Sequence, residues 1–504
     1  MEKSMKIGVL GAGVEGLETV RYLVRHGFSD VTLFDQNPDL KAELPAGVKA
    51  FFGFDYLEKA AACDVIFRSP GIDLKKLGAL APTLTSATRY FFEHCPCPII
   101  GVTGTKGKGT TSTLIYLMLK EGGKDVYLGG NIGESPLKFL DDLKEDSLVV
   151  LELSSFQLQD LDRSPQIAVL LGVTSDHLDY HNDVDEYWEA KSSLVKYQKA
   201  EDLAILNHDY ESAEYYEKLT PAKKILVSTK ESGGDGVHLS GPMIVNCAGV
   251  KCELILNSSK VAIIGKHHFE NILPAVAVAR HFEIGIPQIQ KVLTTFKGLP
   301  HRLEEVAIVG DVRYFDDSIS TTPETSIAAV RAFDKPVILI AGGSDKGADY
   351  TEWGIALQQA TNLKCVVLCG RDGGGESADD DSNMRAGLSM GAEVGTRAGG
   401  DVQKYVGASV ISRMEKALQN AAKTLDSRGL GVGGDTKNSG MGRHYPLEIL
   451  KCATFEEAIK AAHDKAAPGD VVVLSPAAAS FDMFKNYQER GEKFKAIVQK
   501  FLSH

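Results

Sequence analysis

One glycine-rich turn constrains this chain more than any other feature: Gly101-Val-Thr-Gly-Thr-Lys-Gly-Lys-Gly-Thr-Thr111. It follows the apolar strand pattern Pro98–Val102 and opens a run with helical spacing. Glycine lets backbone N–H groups close around a phosphate, and the helix N-terminus behind them adds positive potential. The candidate phosphate contacts are Gly104, Thr105, Lys106, Gly107, Lys108, Gly109, Thr110 and Thr111. Lys108 is placed to reach the terminal phosphates, and Thr110 to offer its hydroxyl to Mg²⁺. The strict Walker pattern is not met, because Val102 takes its first glycine position and Gly109 follows the lysine. A chance glycine turn is the bland alternative, and the correct strand and helix on either side count against it.

A second turn, Gly11-Ala-Gly13-Val-Glu-Gly16, lies between the strand pattern Lys6–Leu10 and a helical run ending at Gly27. Asp35 ends the next strand pattern, where a dinucleotide fold holds a ribose or base. The signal is weaker, since such glycines often serve packing alone. Strand patterns recur at Leu148–Leu153, Ile167–Val173, Leu203–Leu206, Val312–Phe315, Val337–Ala341, Cys365–Cys369 and Val471–Leu474, and a closing helix spans about 480–502. The alternation predicts an α/β protein of three domains: a Rossmann-like N-terminal domain over 1–95, a central P-loop domain over 96–299 and a Rossmann-like C-terminal domain over 300–504. Glycine-dense stretches at about 373–407 and 429–442, with a helix over Val410–Leu425 between them, read as surface insertions.

A formal net charge of -12 excludes a general nucleic-acid binder, so any anion site must be a local cluster of cations, N–H groups and metal. No stretch approaches membrane-spanning length, and the start is too short in apolar residues for a signal peptide. The eight cysteines show no CxxC pair, so reduced thiols and no zinc site are expected. These features predict a cytoplasmic protein, and we expect a monomer.

Glu152 and His177 end successive strand patterns beside the phosphate turn, where side chains can hold a divalent cation. Each alone is more often an ordinary strand-end polar residue. Lys191, early in a helical run, is not singled out by position. In the third domain Arg302 follows Leu299-Pro-His, Asp316-Asp-Ser318 follows a strand, and Gly342-Gly-Ser-Asp-Lys346 supplies an exposed lysine suited to a carboxylate. Ser475-Pro-Ala-Ala-Ala-Ser480-Phe481 runs from a strand toward the last helix, whose N-terminus would receive an anion.

The motifs GVTGTKGKGTT, GGNIG at 129–133, LELSSFQL, VTSDHLD, GLPHR, DDS at 316–318, GGSDKGAD and SPAAASFDMFKNY together resemble the Mur ligases of peptidoglycan synthesis. The resemblance covers nearly the whole chain outside the glycine-rich insertions, and LELSSFQL with GLPHR favours the glutamate-adding branch. It implies an ATP-dependent amide-forming ligase with ATP and two Mg²⁺ ions as cofactors, and with UDP-N-acetylmuramoyl-L-alanine and glutamate as substrates. It implies UDP-substrate contacts from Val14, Glu15, Asp35, Ser69, Asn131 and His177. The metals would fall to Thr110, Glu152, His177 and a carbamylated Lys191, making Lys108, Glu152, His177 and Lys191 the catalytic set. ATP would also meet Asn271, Arg302 and Asp317. Glutamate would meet Thr321, Lys346, Ser480, Phe481 and Tyr487. The carboxylate would attack the γ-phosphate, and the acyl-phosphate would then be opened by the glutamate amine behind a closed third domain.

Ile319 stands where this family usually has lysine, which leaves D- against L-glutamate open, with D the family norm. Gly109 after Lys108 is similar to the folylpolyglutamate synthetases, which lack a nucleotide-type domain ahead of the phosphate turn. A P-loop switch is a third reading, and the carboxylate pocket expected from Lys346 and Ser480 counts against it.

Overall fold

The computed structural model describes residues 1–38, 40, 42–132, 134–174, 184–230, 234–263, 265, 268–344, 348–370, 409–427 and 447–503. They form two compact units, Met1–Phe296 and Lys297–His504. The first unit carries two sheets.

Its first sheet has β1 (Lys6–Leu10), β2 (Asp30–Asp35), β3 (Lys49–Phe52), β4 (Val65–Arg68) and β5 (Leu84–Thr85), all parallel, in the order β3-β2-β1-β4-β5. The order reverses direction at β1, so the turn after Leu10 opens into the crevice where such sheets take ligands. The helix Val14–Arg25 covers one face by burying Val20, Tyr22 and Leu23.

The second sheet contains β6 (Ile99–Thr103), β7 (Val126–Gly130), β8 (Leu148–Glu152), β9 (Ile167–Leu170), β10 (Leu203–Asn207), β11 (Lys223–Ser228), β12 (Gly236–Ser240), β13 (Met243–Ala248) and β14 (Lys251–Asn257). Its order is β14-β13-β12-β11-β10-β9-β6-β8-β7, parallel except where β13 meets β12 and β14. β6 lies between β8 and β9, at the reversal of strand order, and the phosphate turn leaves its carboxyl end. All five residues of β6 are buried, as a strand covered on both faces requires. The helices Lys108–Glu121 and Phe269–His281 share one core through Leu114, Ile115, Met118, Ile272, Leu273 and Val276.

The second unit holds β15 (Glu304–Val309), β16 (Val312–Asp316), β17 (Val337–Ala341), β18 (Leu363–Cys369), β19 (Glu448–Cys452) and β20 (Val471–Leu474), in the order β15-β16-β20-β17-β18-β19. Only β15 runs antiparallel to its neighbour. The α/β class and the parallel sheets are those indicated by the sequence. Several strands (β7, β11 to β15 and β19) were not legible: β7, β14, β15 and β19 are sheet edges, and β11 to β13 are partly exposed, so polar and apolar residues mix in them.

Two expectations are corrected. The closing helix runs Tyr487–Lys500 and starts later than about 480, because the Asn486 side chain caps it by accepting from the Glu489 N–H at 2.9 Å. Cys247 and Cys252 are disulfide-bonded across the β13–β14 hairpin, where all cysteines were expected as thiols. The helix between the insertions spans Val410–Ser427, and both insertions lie outside the described residues. Among the described residues no helix is long and apolar enough to cross a membrane.

Candidate active site

The phosphate turn forms where β6 must reverse into a helix within a few residues. Gly104 (φ 156°) and Gly107 (φ 83°) take backbone conformations that L side chains resist, and Gly107 caps the helix Lys108–Glu121. A methyl group on Gly107 would collide with the Asn271 side-chain oxygen, so the turn and Asn271 fit only because residue 107 is glycine. Asn271 also lies 3.2 Å from His268 Nδ1 and accepts from the Thr111 hydroxyl at 3.5 Å. Position along the chain alone does not tie Asn271 to this turn.

Lys108 opens the helix and folds back, donating to the carbonyls of Gly104 (3.1 Å) and Thr105 (3.0 Å). Thr110 and Thr111 are buried, while Lys106 is exposed. Glu152 ends β8 in register with Val102 of β6 and is only 6% exposed. Its carboxylate accepts from Asn131 Nδ2 at 2.8 Å, and its carbonyl accepts from the Asn131 N–H at 2.9 Å. Lys191, in the helix Val184–Lys196, is 1% exposed. Its ammonium donates to Thr103 Oγ1 at 3.2 Å and to the Gly104 carbonyl at 3.4 Å, and lies 4.7 Å from the centre of the Tyr187 ring. Thr103 in turn donates to the Leu153 carbonyl at 2.7 Å, so one hydroxyl links the end of β8, the phosphate turn and Lys191. His177, expected here, lies outside the described residues.

The oxygen donors suit a hard divalent cation. Thr110 brings a hydroxyl, and Glu152 a carboxylate with one oxygen engaged by a neutral amide. As an unmodified ammonium Lys191 is no metal ligand. Carbamylation would turn it into a carboxylate that could be one.

The nucleotide-type turn of the first sheet is built by Asp35. Its carboxylate accepts from the N–H groups of Ala12 (2.9 Å) and Asn37 (3.0 Å), while the Gly11 N–H bonds to the Phe34 carbonyl at 2.8 Å. Gly16 packs so closely on the Gly11 carbonyl that a methyl group would collide with it. The Ser69 hydroxyl donates to the same carbonyl at 3.4 Å, and Val14 is 83% exposed at the mouth of the turn. Burial pushes the Glu15 carboxyl up to about 7, against the lowering pull of its bond from Gln157 Nε2 (3.2 Å) and of Arg68.

Sequence reasoning missed Gln157 and Arg68. The buried Arg68 guanidinium pairs with Asp160 at 2.8 Å and donates to the carbonyls of Ile72 (3.0 Å) and Phe156 (2.8 Å). It fastens the carboxyl end of β4 to the short helix Ser155–Leu158 after β8. An arginine at the end of a short strand pattern carries no signal of such a role.

In the second unit the buried His301 pairs with Asp316 at 2.7 Å, and its ring meets that of Tyr487 edge-on at 6.0 Å. Asp317 is 3% exposed and accepts from Ser475 Oγ (2.7 Å) and the Leu303 N–H (3.2 Å). Burial pushes its carboxyl up to about 7 in spite of these bonds and of the nearby Arg302 charge. Arg302 itself is exposed. The segments around Ser318, Gly343–Ser344 and Ala478–Ser480 meet at Arg490, which was not anticipated. Arg490 is 3% exposed, donates to Ser318 Oγ, to the Ser318 carbonyl and to the carbonyls of Ala478 and Ala479 at 3.0–3.2 Å, and touches the space beside Gly343. Ser480 is buried, and the N–H of the half-exposed Phe481 donates to Ser344 Oγ at 3.2 Å. Tyr487 accepts from Ser318 Oγ through its carbonyl at 2.8 Å, and the Thr321 N–H bonds to the Ile319 carbonyl at 2.9 Å. Ser480 therefore sits in a turn, not at a helix N-terminus as expected. Lys346 lies outside the described residues.

A phosphate turn at the reversal of one parallel sheet, a nucleotide-type turn at the reversal of another, and a third α/β sheet define a multidomain nucleotide-dependent α/β protein. Residues 102–279 match the Mur ligase middle domain, and residues 5–87 match the Mur ligase MurD-like N-terminal domain. The UDP-N-acetylmuramoylalanine–D-glutamate ligase of Acetivibrio thermocellus is 36% identical over 98% of this chain and 96% of its own length. Its namesake in Clostridium tetani is 32% identical over 98% and 96%. The chain belongs to the Mur ligase family. At the level of fold it is similar to the UDP-N-acetylmuramate-alanine ligase MurC of Thermotoga maritima (TM-score 0.55, 15% identity, 99% of each chain covered). It is likewise similar to MurF of Acinetobacter baumannii (TM-score 0.56, 13% identity, 99% and 90% covered).

Proposed function

We propose that the chain joins D-glutamate to UDP-N-acetylmuramoyl-L-alanine at the expense of ATP, through an acyl-phosphate, in the cytoplasm and as a monomer. Residues 1–95 would hold the UDP end of the substrate, 96–299 the ATP and 300–504 the amino acid. The observation that carries the reading is the pairing, in one compact unit, of the turn closed by Asp35 with the phosphate turn that bears Lys108 and is backed by the buried Lys191. Near-full-length relatives named D-glutamate ligases support the choice of acceptor and enantiomer.

In this reading Asp35, Ser69, Val14, Glu15, Asn131 and His177 orient the UDP-sugar. The backbone of Gly104–Thr111 holds the phosphates, with Asn271, Arg302 and Asp317 on the rest of the nucleotide. Lys108 leaves the loop carbonyls to meet the γ-phosphate, neutralising charge where a carboxylate must approach. Thr110, Glu152, His177 and a carbamylated Lys191 would hold two Mg²⁺ ions, which would supply Lewis-acid stabilisation of the phosphoryl oxygens. Thr321, Lys346, Ser480, Phe481 and Tyr487 would seat the glutamate so that its amine, not water, reaches the acyl carbon.

The test is incubation with ATP, Mg²⁺, UDP-N-acetylmuramoyl-L-alanine and each glutamate enantiomer separately, reading product mass. The expected result is the amide with D-glutamate alone. A product with L-glutamate alone would overturn the enantiomer, and phosphate release that needs neither substrate would overturn the ligase.

A further inference from the structure

A pair of thiols stands apart from the nucleotide and metal chemistry, at the junction between the two sheets of the first unit. Cys95 ends the helix Ala87–His94. Its N–H still bonds to the Phe91 carbonyl at 2.8 Å, but its backbone (φ −65°, ψ 122°) has left the helix, as the residue before a proline must. Pro96 follows, then Cys97, two residues before β6. The two sulfurs are 3.6 Å apart, and Cys95 Sγ also reaches the Cys97 carbonyl at 3.4 Å. Cys97 is 5% exposed, whereas Cys95 is half-buried.

We propose that Cys95 and Cys97 form a redox-modification site that exchanges two electrons with a low-molecular-weight disulfide. The Cys95 thiolate attacks one sulfur of that disulfide, forming a mixed disulfide and expelling one small thiolate. Cys97 then loses its proton to water and attacks Cys95 Sγ, expelling the second small thiolate. The pair has lost two electrons, the small disulfide has gained them, and the two released thiolates take up the two protons. The sulfurs need to close from 3.6 Å to about 2 Å, which side-chain rotation supplies in part.

The environment divides the roles. The hydrogen bond shared between the two sulfurs pulls the Cys95 thiol down and pushes the Cys97 thiol up, while burial raises both. Burial raises the other free thiols among the described residues: Cys63, Cys452, and Cys365 and Cys369, the last two to about 12. The reachable sulfur is therefore the acidic one, and the buried sulfur beside it resolves the adduct before further oxidation.

The experiment exposes the whole chain at pH 7 to oxidised glutathione, quenches with an alkylating reagent and maps peptide masses with time. Cys95 and Cys97 should lose their alkylation together, as an internal disulfide, at least about tenfold faster than Cys63 or Cys452 acquires glutathione. Cys97→Ser should trap glutathione on Cys95, and Cys95→Ser should leave Cys97 alkylatable only on unfolding. Should Cys97→Ser fail to fold, Cys97→Ala gives the same readout with an apolar residue in that place. Reaction of Cys95 no faster than Cys63, or a lasting glutathione adduct on Cys95 in the unaltered chain, would overturn the site.

Discussion

The Lys191 ammonium donates to Thr103 Oγ1 at 3.2 Å, fastening the helix Val184–Lys196 to the last residue of the strand that carries the phosphate turn. A cation held there at 1% exposure has lost most of its hydration. We predict that Lys191→Ala lowers turnover by at least about a hundredfold, as loss of a group bearing on developing phosphoryl charge does. If the amine is carbamylated, formate or acetate should restore part of the rate by placing a carboxylate in the space. Rate measurements across a carboxylate series, on a variant shown to be folded by circular dichroism, decide it; a flat response counts against carbamylation.

Gly107 and Asn271 are bound by space as well as chemistry. Gly107→Ala must hold a side chain at φ 83° and push against the Asn271 oxygen. A destabilisation of about 1–3 kcal/mol and weakened ATP binding are expected. Asn271→Ala removes the collision but leaves the backbone strain. The double variant should therefore be more stable than the sum of the two single losses implies, by about 0.5–1 kcal/mol in denaturant unfolding. Strict additivity would show that the two residues do not press on one another.

The sequence made the phosphate turn legible because its chemistry demands glycines at fixed places between a strand and a helix. The same holds for the Asp35 turn. Glu152 was legible as a strand-end carboxylate, and β8 places it in register with Val102. Arg68, Gln157 and Arg490 were not legible. Each joins segments far apart in the chain, and nothing near Arg490 in sequence announces that Ser318 and Ala478 will surround it. Spacing reports local geometry, whereas these contacts are fixed only once whole sheets have packed. Ser480 shows the converse error: a motif resembling a helix start sits in a turn because Asn486 caps the helix later.

Arg490 gathers the carbonyls of Ser318, Ala478 and Ala479, and burial pulls it down to about 10, so it stays charged at neutral pH. Lysine lacks the planar fork to reach this many acceptors. Arg490→Lys should therefore lower the stability of the second unit by roughly 1–3 kcal/mol, since buried carbonyls are left unpaired. If those segments seat the amino acid, the KM for glutamate should rise while that for the UDP-substrate stays fixed. Calorimetry and steady-state kinetics read both, and equal changes in the two KM values would leave Arg490 no place beside glutamate.

Glu15 and Asp317 are both carboxyls pushed up to about 7 by burial, from ordinary values of 4.5 and 3.8. The folded chain therefore binds more protons than the unfolded chain between those limits, so their contribution to stability is present at low pH and is lost as pH rises toward and through 7. Glu15 Oε1 is buried with no hydrogen-bond partner among the described residues, which fits a carboxyl that gains from being neutral. Glu15→Gln should flatten the fall in melting temperature between about pH 5 and 8, and leave the protein more stable than the parent at the upper end. The expected gain is of order 1–3 kcal/mol. A pH profile parallel to the parent's would mean that Glu15 titrates normally.

Lys108 rests on the carbonyls of Gly104 and Thr105, so in the proposed reaction it would leave them to meet the triphosphate. Removing it costs the turn these hydrogen bonds, but the glycine-defined backbone that starts the helix remains. Lys108→Ala should therefore fold, lose at least about a thousandfold in turnover, and bind UDP as the parent does. That last expectation follows from topology: the Asp35 turn leaves the first sheet and the Lys108 turn leaves the second, with separate strands supporting each. Isothermal titration with UDP and phosphate-release assays on the same preparation separate the two sites. Turnover near the parent's would remove Lys108 from the chemistry, and loss of UDP binding would show that the two turns are not independent.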